Sequence, residues 1–267
     1  MRIPALLLAL TIANTSTQAQ DAPPTRDMNA INWMDFQKWV PERIDTVLLA
    51  AGTLEAHGVG NNGADNTVPE AIARDLAPRL NAMVAPTIPY GVTTSLSAFA
   101  GTFRISPEVF GAYAREVISG LHKVGFRNIV IVNGHGPNFG PLQQASASVS
   151  EETGVRTLVF NWWSHTADIT KEIYGTDEGH AGVNENAAIL ATTPEHVHAD
   201  YYDASLAWWR AEGVAAYPYP STIILYEPDE GYPDFDKAKA DRYYGLVVDK
   251  VETLIRTTIE KWNLAGL

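Results

Sequence analysis

Two uninterrupted apolar runs constrain this chain more than any other feature. Asp45-Thr46-Val47-Leu48-Leu49-Ala50-Ala51 and Asn128-Ile129-Val130-Ile131-Val132 are short and show no polar alternation, the pattern of strands covered on both faces in a parallel sheet. Each run leads into a glycine-flanked segment rich in donor groups. Glu55-Ala56-His57-Gly58, with Asp65 beyond it, follows the first; Asn133-Gly134-His135-Gly136 follows the second. Groups just past the carboxyl ends of parallel strands converge on one crevice. Glu, His and Asp are the donors that divalent Zn, Mn or Fe accept. The expectation is a metal site at the C-terminal edge of a parallel sheet.

The rest of the chain alternates helix and strand patterns. A helix is predicted over 67–80, then a strand over 83–88. Ser106-Pro107-Glu108 opens a helix with Ser as N-cap and Pro at the first helical position. Its apolar positions are read as Phe110, Tyr113, Val117, Leu121 and Val124, with Gly125 closing it. Strand 128–132, helix 139–153 and strand 155–160 follow, the last running into Trp162-Trp163. Residues 182–190 read as helical and 221–226 as a strand. A final helix over 235–262 is expected to bury Tyr244, Val247, Val248, Val251, Leu254 and Ile255. This alternation predicts a single three-layer α/β/α domain over 31–267 with a mostly parallel sheet. No repeat, low-complexity tract or interdomain linker is visible.

Composition narrows the chemistry. The absence of cysteine excludes disulfides, cysteine nucleophiles and thiolate ligands, so a metal here must be held by His and carboxylates. A formal net charge of −12 repels phosphate backbones and argues against nucleic acid as a partner. The N-terminus reads as a secretory signal, with Arg2, an apolar core from Ile3 to Ala13, and Thr17-Gln18-Ala19 as a small-x-small cleavage site before Gln20. Residues 20–30 are expected to form a disordered lead-in. The apolar core is too short to span a bilayer and no later segment qualifies, so the expectation is a periplasmic or secreted protein without a membrane anchor.

Glu55 and His57 lie two residues apart, so an extended backbone would point both to one side, toward one metal or two neighbouring ones. Asp65 follows a loop of small residues that includes Asn61 and Asn62. It reads either as a ligand bridging two cations or as a cap for the next helix. His135 sits between glycines directly after a buried strand, a setting that favours a ligand. His180-Ala181-Gly182 with Glu185 supplies a second His/carboxylate pair. Trp162 and Trp163 read either as pocket walls that stack on a flat substrate or as plain core.

These motifs resemble the creatininase (creatinine amidohydrolase) family. The matching residues are Gly52-Thr53-Leu54-Glu55-Ala56-His57-Gly58, Asp65, Ile88-Pro89-Tyr90-Gly91-Val92, Gly101-Thr102, Gly125-Phe126-Arg127, Ile129 to Gly136, Asn138, Trp162-Trp163, and His180-Ala181-Gly182 with Glu185, in order from about 45 to 198. The resemblance implies two divalent ions per chain, held by Glu55, His57, Asp65, His135 and Glu185 with Asp65 as bridge. It places His180 where creatininase has a histidine proposed to hand a proton to the leaving nitrogen; acid and ligand both stay open for it. It also implies hydrolysis of C–N bonds in cyclic or linear amides, as in creatinine ring opening, deformylation of a pyrimidine intermediate and clipping of a small peptide. A homo-oligomer, with a hexamer as the form to expect, goes with it.

The departures from that pattern concern substrate. Gly60 stands where the family usually has a second histidine, and Pro137 where creatininase has a metal-binding glutamate. Gly179 replaces a glutamate, and the histidine usual near Ser97 is missing. Asn61-Asn62 replaces a Leu-Pro pair in a loop one residue shorter. The expected chemistry is a water bridging two cations, made acidic by them and attacking an amide carbonyl. N–H groups around Gly134-His135-Gly136 are expected to steady the oxyanion. Asn61, Asn62, Trp162, Trp163 and Gly136 are the expected substrate contacts. A lactonase with the same site, or a periplasmic metal- or solute-binding protein, is the competing reading; the latter needs two lobes and a hinge. N-terminal sequencing of the native protein should begin at or near Gln20, and an intact Met1 terminus in a cytosolic fraction would contradict the signal.

Overall fold

The computed structural model describes residues 22–267. The signal segment lies outside the described residues. In chain order the elements are α1 (Trp33–Trp39), β1 (Thr46–Ala51), α2 (Ala64–Arg79), β2 (Met83–Val84), α3 (Pro107–Lys123), β3 (Asn128–Asn133), α4 (Phe139–Thr153), β4 (Arg156–Asn161), α5 (Trp162–His165), α6 (Ala167–Tyr174), β5 (Gly179–His180), α7 (Val183–Thr192), β6 (Ala207–Trp209), β7 (Ile223–Leu225) and α8 (Lys237–Leu264). Four strands form a parallel sheet in the order β2-β1-β3-β4. Successive side chains of a strand face opposite ways, and here both faces are covered. Leu48, Val130 and Val132 pack with α2, α7 and α8; Val47, Leu49, Ile129 and Ile131 pack with α1, α3 and α4. That is the three-layer α/β/α arrangement read from the sequence.

The chain leaves β1 toward β2 and returns to place β3 on the other side of β1. This reversal opens a crevice above the carboxyl ends of β1 and β3. The register sets Ala51 beside Asn133, and Asn133 beside Asn161, so both donor-bearing segments leave the sheet at one level. Asn133 Nδ2 donates to Asn161 Oδ1 (2.7 Å) and to His135 O (2.6 Å), fixing the turn after β3.

Several expectations change. Residues 26–30 are not a free lead-in: Val84 N–H donates to Arg26 O (2.8 Å) and Met28 N–H to Val84 O (2.9 Å), laying the segment along the edge of β2. The strand expected over 83–88 is two residues long, with an isolated bridge from Ile88 to Ala51. Helix α3 buries Phe110, Ala114, Ile118 and Leu121, whereas Tyr113 and Val124 are exposed. On α8 the buried aromatic is Tyr243; Tyr244 instead donates its hydroxyl to Asp75 (2.9 Å). A second, three-stranded sheet, β5-β7-β6, was not foreseen.

Two glycines let the site form. Gly52 ends β1 and Gly134 ends β3, and a Cβ on either would overlap the main-chain carbonyl of Asp65. The first turn of α2 therefore sits directly on both strand ends. The obstruction is backbone, which cannot rotate away, so Gly134→Ala should destabilise the fold by about 1–3 kcal/mol, read by denaturant unfolding, and should reduce bound metal in the folded fraction.

Candidate metal centre

Six ionisable side chains meet in the crevice. Glu55 and His57 come from the extended segment after β1, Asp65 from the first turn of α2, His135 from the turn after β3, His180 from β5 and Glu185 from the first turn of α7. The two readings of Asp65 are separated by where α2 begins. The helix starts at Ala64, with Gly63 as its N-cap and no side-chain cap bond, so Asp65 lies inside the helix and its carboxylate is free to face the crevice.

Asp65 is the hinge of the arrangement. Its Oδ1 lies 3.0 Å from His57 Nε2 and its Oδ2 lies 2.8 Å from His135 Nδ1. On one side Glu55 Oε1 is 3.2 Å from His135 Nδ1; on the other Glu185 Oε2 is 3.7 Å from His57 Nε2. Two ligand triads result, Glu55/Asp65/His135 and His57/Asp65/Glu185, with ligand atoms within 4.8 Å of one another in each. A third group joins Glu55 and His57 to His180, whose Nδ1 is 3.6 Å from Glu55 Oε1.

The surrounding bonds fit a metal. Each histidine donates its outer N–H to a main-chain carbonyl: His57 Nδ1 to Glu55 O (3.0 Å), His135 Nε2 to Val92 O (2.6 Å) and His180 Nε2 to Ala56 O (2.9 Å). A carbonyl only accepts, so in the neutral ring the inward nitrogen carries a lone pair. Those lone pairs face carboxylate oxygens, an acceptor-to-acceptor contact that only a proton or a cation relieves. His57 Nε2 and Asp65 Oδ2 are buried without a hydrogen-bond partner. Further donors hold the carboxylates: Thr93 Oγ1 donates to Glu55 Oε2 (3.2 Å), and Ala181 N–H donates to Glu185 Oε2 (2.7 Å), the oxygen that faces His57.

The buried groups shift one another's affinity for protons. Burial alone would lower the His57 pKa, but Asp65 and Glu185 beside it push it up to about 10. His135 is likewise raised well above its usual value, against burial, by Glu55 and Asp65. Burial would raise Asp65, yet His57 and His135 hold it below the usual carboxylate range. Burial lifts Glu185 to about 8. His180 is lowered by burial and by His57, so it stays neutral.

The centre forms the floor of a cavity of about 390 Å³. Gly136 and Trp163 line it. Trp162 does not; it is core, edge-on to Trp163 at 6.1 Å. Asn61 and Asn62 do not line it either: their amides donate to Thr67 Oγ1 (3.0 Å) and Ala100 O (3.2 Å), holding the loop. The expected oxyanion donors change too, because Gly134 N–H is spent on Ala51 O and His135 N–H on Asn133 Oδ1. Sequence reasoning missed Thr94, Ser95, Glu178, Arg210, Tyr217, Tyr219 and Tyr226, which also line the cavity; the tyrosine-rich stretch from 217 to 226 was the available signal.

The raised His57 and Glu185 pKa values fix a pH dependence. Both groups hold more protons in the folded than in the unfolded state, so stability falls as pH rises. The His57 contribution is complete below its unfolded value near 6.5 and lost through about 10; that of Glu185 is lost between about 4.5 and 8. Chelator-treated protein should therefore melt at progressively lower temperature from about pH 5 to 10. The stabilisation gained on adding Zn²⁺ or Mn²⁺ should grow over the same window, because the ion replaces these protons. Thermal melts with and without metal measure both trends.

Comparison with known proteins agrees with the geometry. The family model Creatininase, described as creatinine amidohydrolase, matches residues 29–244. A creatinine amidohydrolase of Pseudomonas putida is 25% identical over 64% of this chain and 73% of its own length. A 3-dehydro-scyllo-inosose hydrolase of Thermotoga maritima is 29% identical over 61% and 56%. A mycofactocin precursor peptide peptidase of Mycobacterium tuberculosis is 27% identical over 79% and 84%. Solved creatininases in a zinc–zinc form and a manganese form superpose with a TM-score of 0.74, each 22% identical and covering 88% of this chain and 98% of theirs. With the family model spanning most of its length, and the acid and histidine motifs gathered at one crevice, this chain belongs to the creatininase family.

Proposed function

We propose that this chain is an exported amidohydrolase that uses two divalent ions to cleave a C–N bond of a small cyclic or linear amide other than creatinine. Membership of the family makes it a hydrolase, and the gathered His, Asp and Glu ligands support metal dependence. The observation that carries the two-ion reading is Asp65, which turns one oxygen toward each of two ligand triads. Glu55 and His135 would hold one ion, His57 and Glu185 the other. When bound, such a pair polarises a carbonyl and makes a water nucleophilic near neutral pH.

The chain's own groups do the rest. His180 lines the cavity, neutral, with Nε2–H fixed on Ala56 O and Nδ1 directed inward. In this reading it would take a proton from the attacking water at Nδ1 and release it to the departing nitrogen. Trp163 lines the cavity and would offer an aromatic wall to a flat substrate. Against creatinine stand the missing polar groups at Gly60, Ser97, Pro137 and Gly179. At Gly179 no side chain fits this backbone, since a Cβ would press on Ile224 O at 2.8 Å. A site that lacks its substrate's polar partners loses selectivity steeply. No helix among the described residues is long and apolar enough to cross a membrane.

Elemental analysis should give about two divalent ions per chain, falling toward zero in Asp65→Ala and toward one in His57→Ala. His180→Gln should keep its metal while kcat drops by about 10²–10⁴; loss of an ion in that variant would make His180 a ligand instead. Creatinine should be hydrolysed with kcat/KM well below about 10⁴ M⁻¹s⁻¹. Activity that survives exhaustive chelation, in protein without bound ions, would remove this mechanism.

A further inference from the structure

The cavity carries a cation that the metal chemistry does not use. Arg210 follows β6, and its main-chain N–H donates to Leu225 O (2.9 Å), so the sheet fixes where it leaves the backbone. Its guanidinium lies over the ring of Tyr219, 5.9 Å from the centroid. Tyr219 packs on Trp208 (5.6 Å) and Tyr217 (6.4 Å), and its N–H donates to Ser95 O (3.0 Å) across the cavity rim. The aromatic stack therefore holds the guanidinium in place.

Arg210 is the only Lys or Arg among the residues lining the cavity. It forms no ion pair with a described carboxylate; Glu178, which lines the same cavity, does not reach it. The chain has 31 acids against 19 basic residues. In so acidic a molecule, an arginine left without a carboxylate at a rim is available to an anionic ligand. The cavity, about 390 Å³, suits a compound of one or two amino-acid residues.

We infer that the substrate of this centre carries a carboxylate, which Arg210 receives at the cavity rim while the scissile amide lies at the floor. The inference rests on the amidohydrolase reading and narrows it to N-acyl amino acids and dipeptides with a free C-terminal carboxylate. The planar guanidinium matches both carboxylate oxygens. Tyr219 and Trp163 also line the cavity, so an apolar or flat side chain of the substrate would meet aromatic walls there. Hydrolysis breaks the C–N bond, adds water across it, and gives a carboxylate and an amine.

The test uses the metal-loaded full chain and a matched set of N-acetyl amino acids and dipeptides, each as free acid and as C-terminal amide. Wild type should favour the free acids by about tenfold or more in kcat/KM, with the difference in KM. Arg210→Gln should erase that preference by raising KM for the acids about tenfold more than for the capped compounds, and Arg210→Lys should restore part of it. Equal turnover of acid and amide by wild type, or an undiminished preference in Arg210→Gln, overturns the inference. Should the whole set resist hydrolysis, the amidohydrolase reading falls for these amides. Calorimetric titration of the same acids into wild type and Arg210→Gln then still decides: no binding, or binding that the substitution leaves unchanged, overturns carboxylate recognition.

Discussion

Three carboxylates buried around one point are the constraint on which the rest of this structure depends. Glu55, Asp65 and Glu185 are each less than a tenth exposed, and the ion-pair partners set against them are histidines. Taking one such ion out of water costs several kcal/mol after relaxation, and their mutual repulsion adds to that. Protons on His57 and His135 relieve part of it, divalent cations relieve more, and the latter also satisfy the inward lone pairs. The same demand explains why each imidazole is tied to a main-chain carbonyl: a ring free to rotate would lose the direction of its lone pair.

The scaffold meets this demand by bringing short segments from distant parts of the chain to one level. The register of β1 with β3 aligns two donor segments, and the glycines that end these strands let the start of α2 settle on them. Glu185 arrives from a different layer. Helix α7 packs with α2 and α8, so the carboxylate that completes the second triad hangs from the helical face and not from the sheet edge. The centre thus joins the sheet to the layer above it, and to the second sheet through His180.

What the sequence disclosed follows from where the signal is local. Apolar runs and caps located most elements to within a few residues, and α4 was placed at its observed ends. Glu55, His57 and His135 were legible because strand ends and glycine flanks mark a crevice from sequence alone, whereas His180 and Glu185 showed only as a His/carboxylate pair and were joined to the centre by the family resemblance. Asp65 was ambiguous, because ligand and cap differ only by where α2 begins, three residues earlier than periodicity suggested. Helix faces slipped by one residue at Tyr113 and Tyr244: at the first, an aromatic outweighs its small neighbour Ala114 in any apolar count although the small residue is the one that fits, and at the second, two adjacent tyrosines, Tyr243 and Tyr244, give an apolar count nothing to choose between. The second sheet was hidden because β5 and β6 are two or three residues long and carry no period, although β7 lies inside the strand read over 221–226. With it went Arg210 and the tyrosines, whose meeting with the centre is purely tertiary.

The segment from Arg26 to Met28 has a role that concerns other molecules more than this one. A bare strand at the margin of a sheet is a template for the next chain, and proteins suppress such growth by covering it. Here β2 is the outermost strand on its side, and the main chain just before α1 occupies its free hydrogen-bonding groups. Removing the chain through Met28 would strip that cover away and leave β2 open to pairing with the edge of another copy.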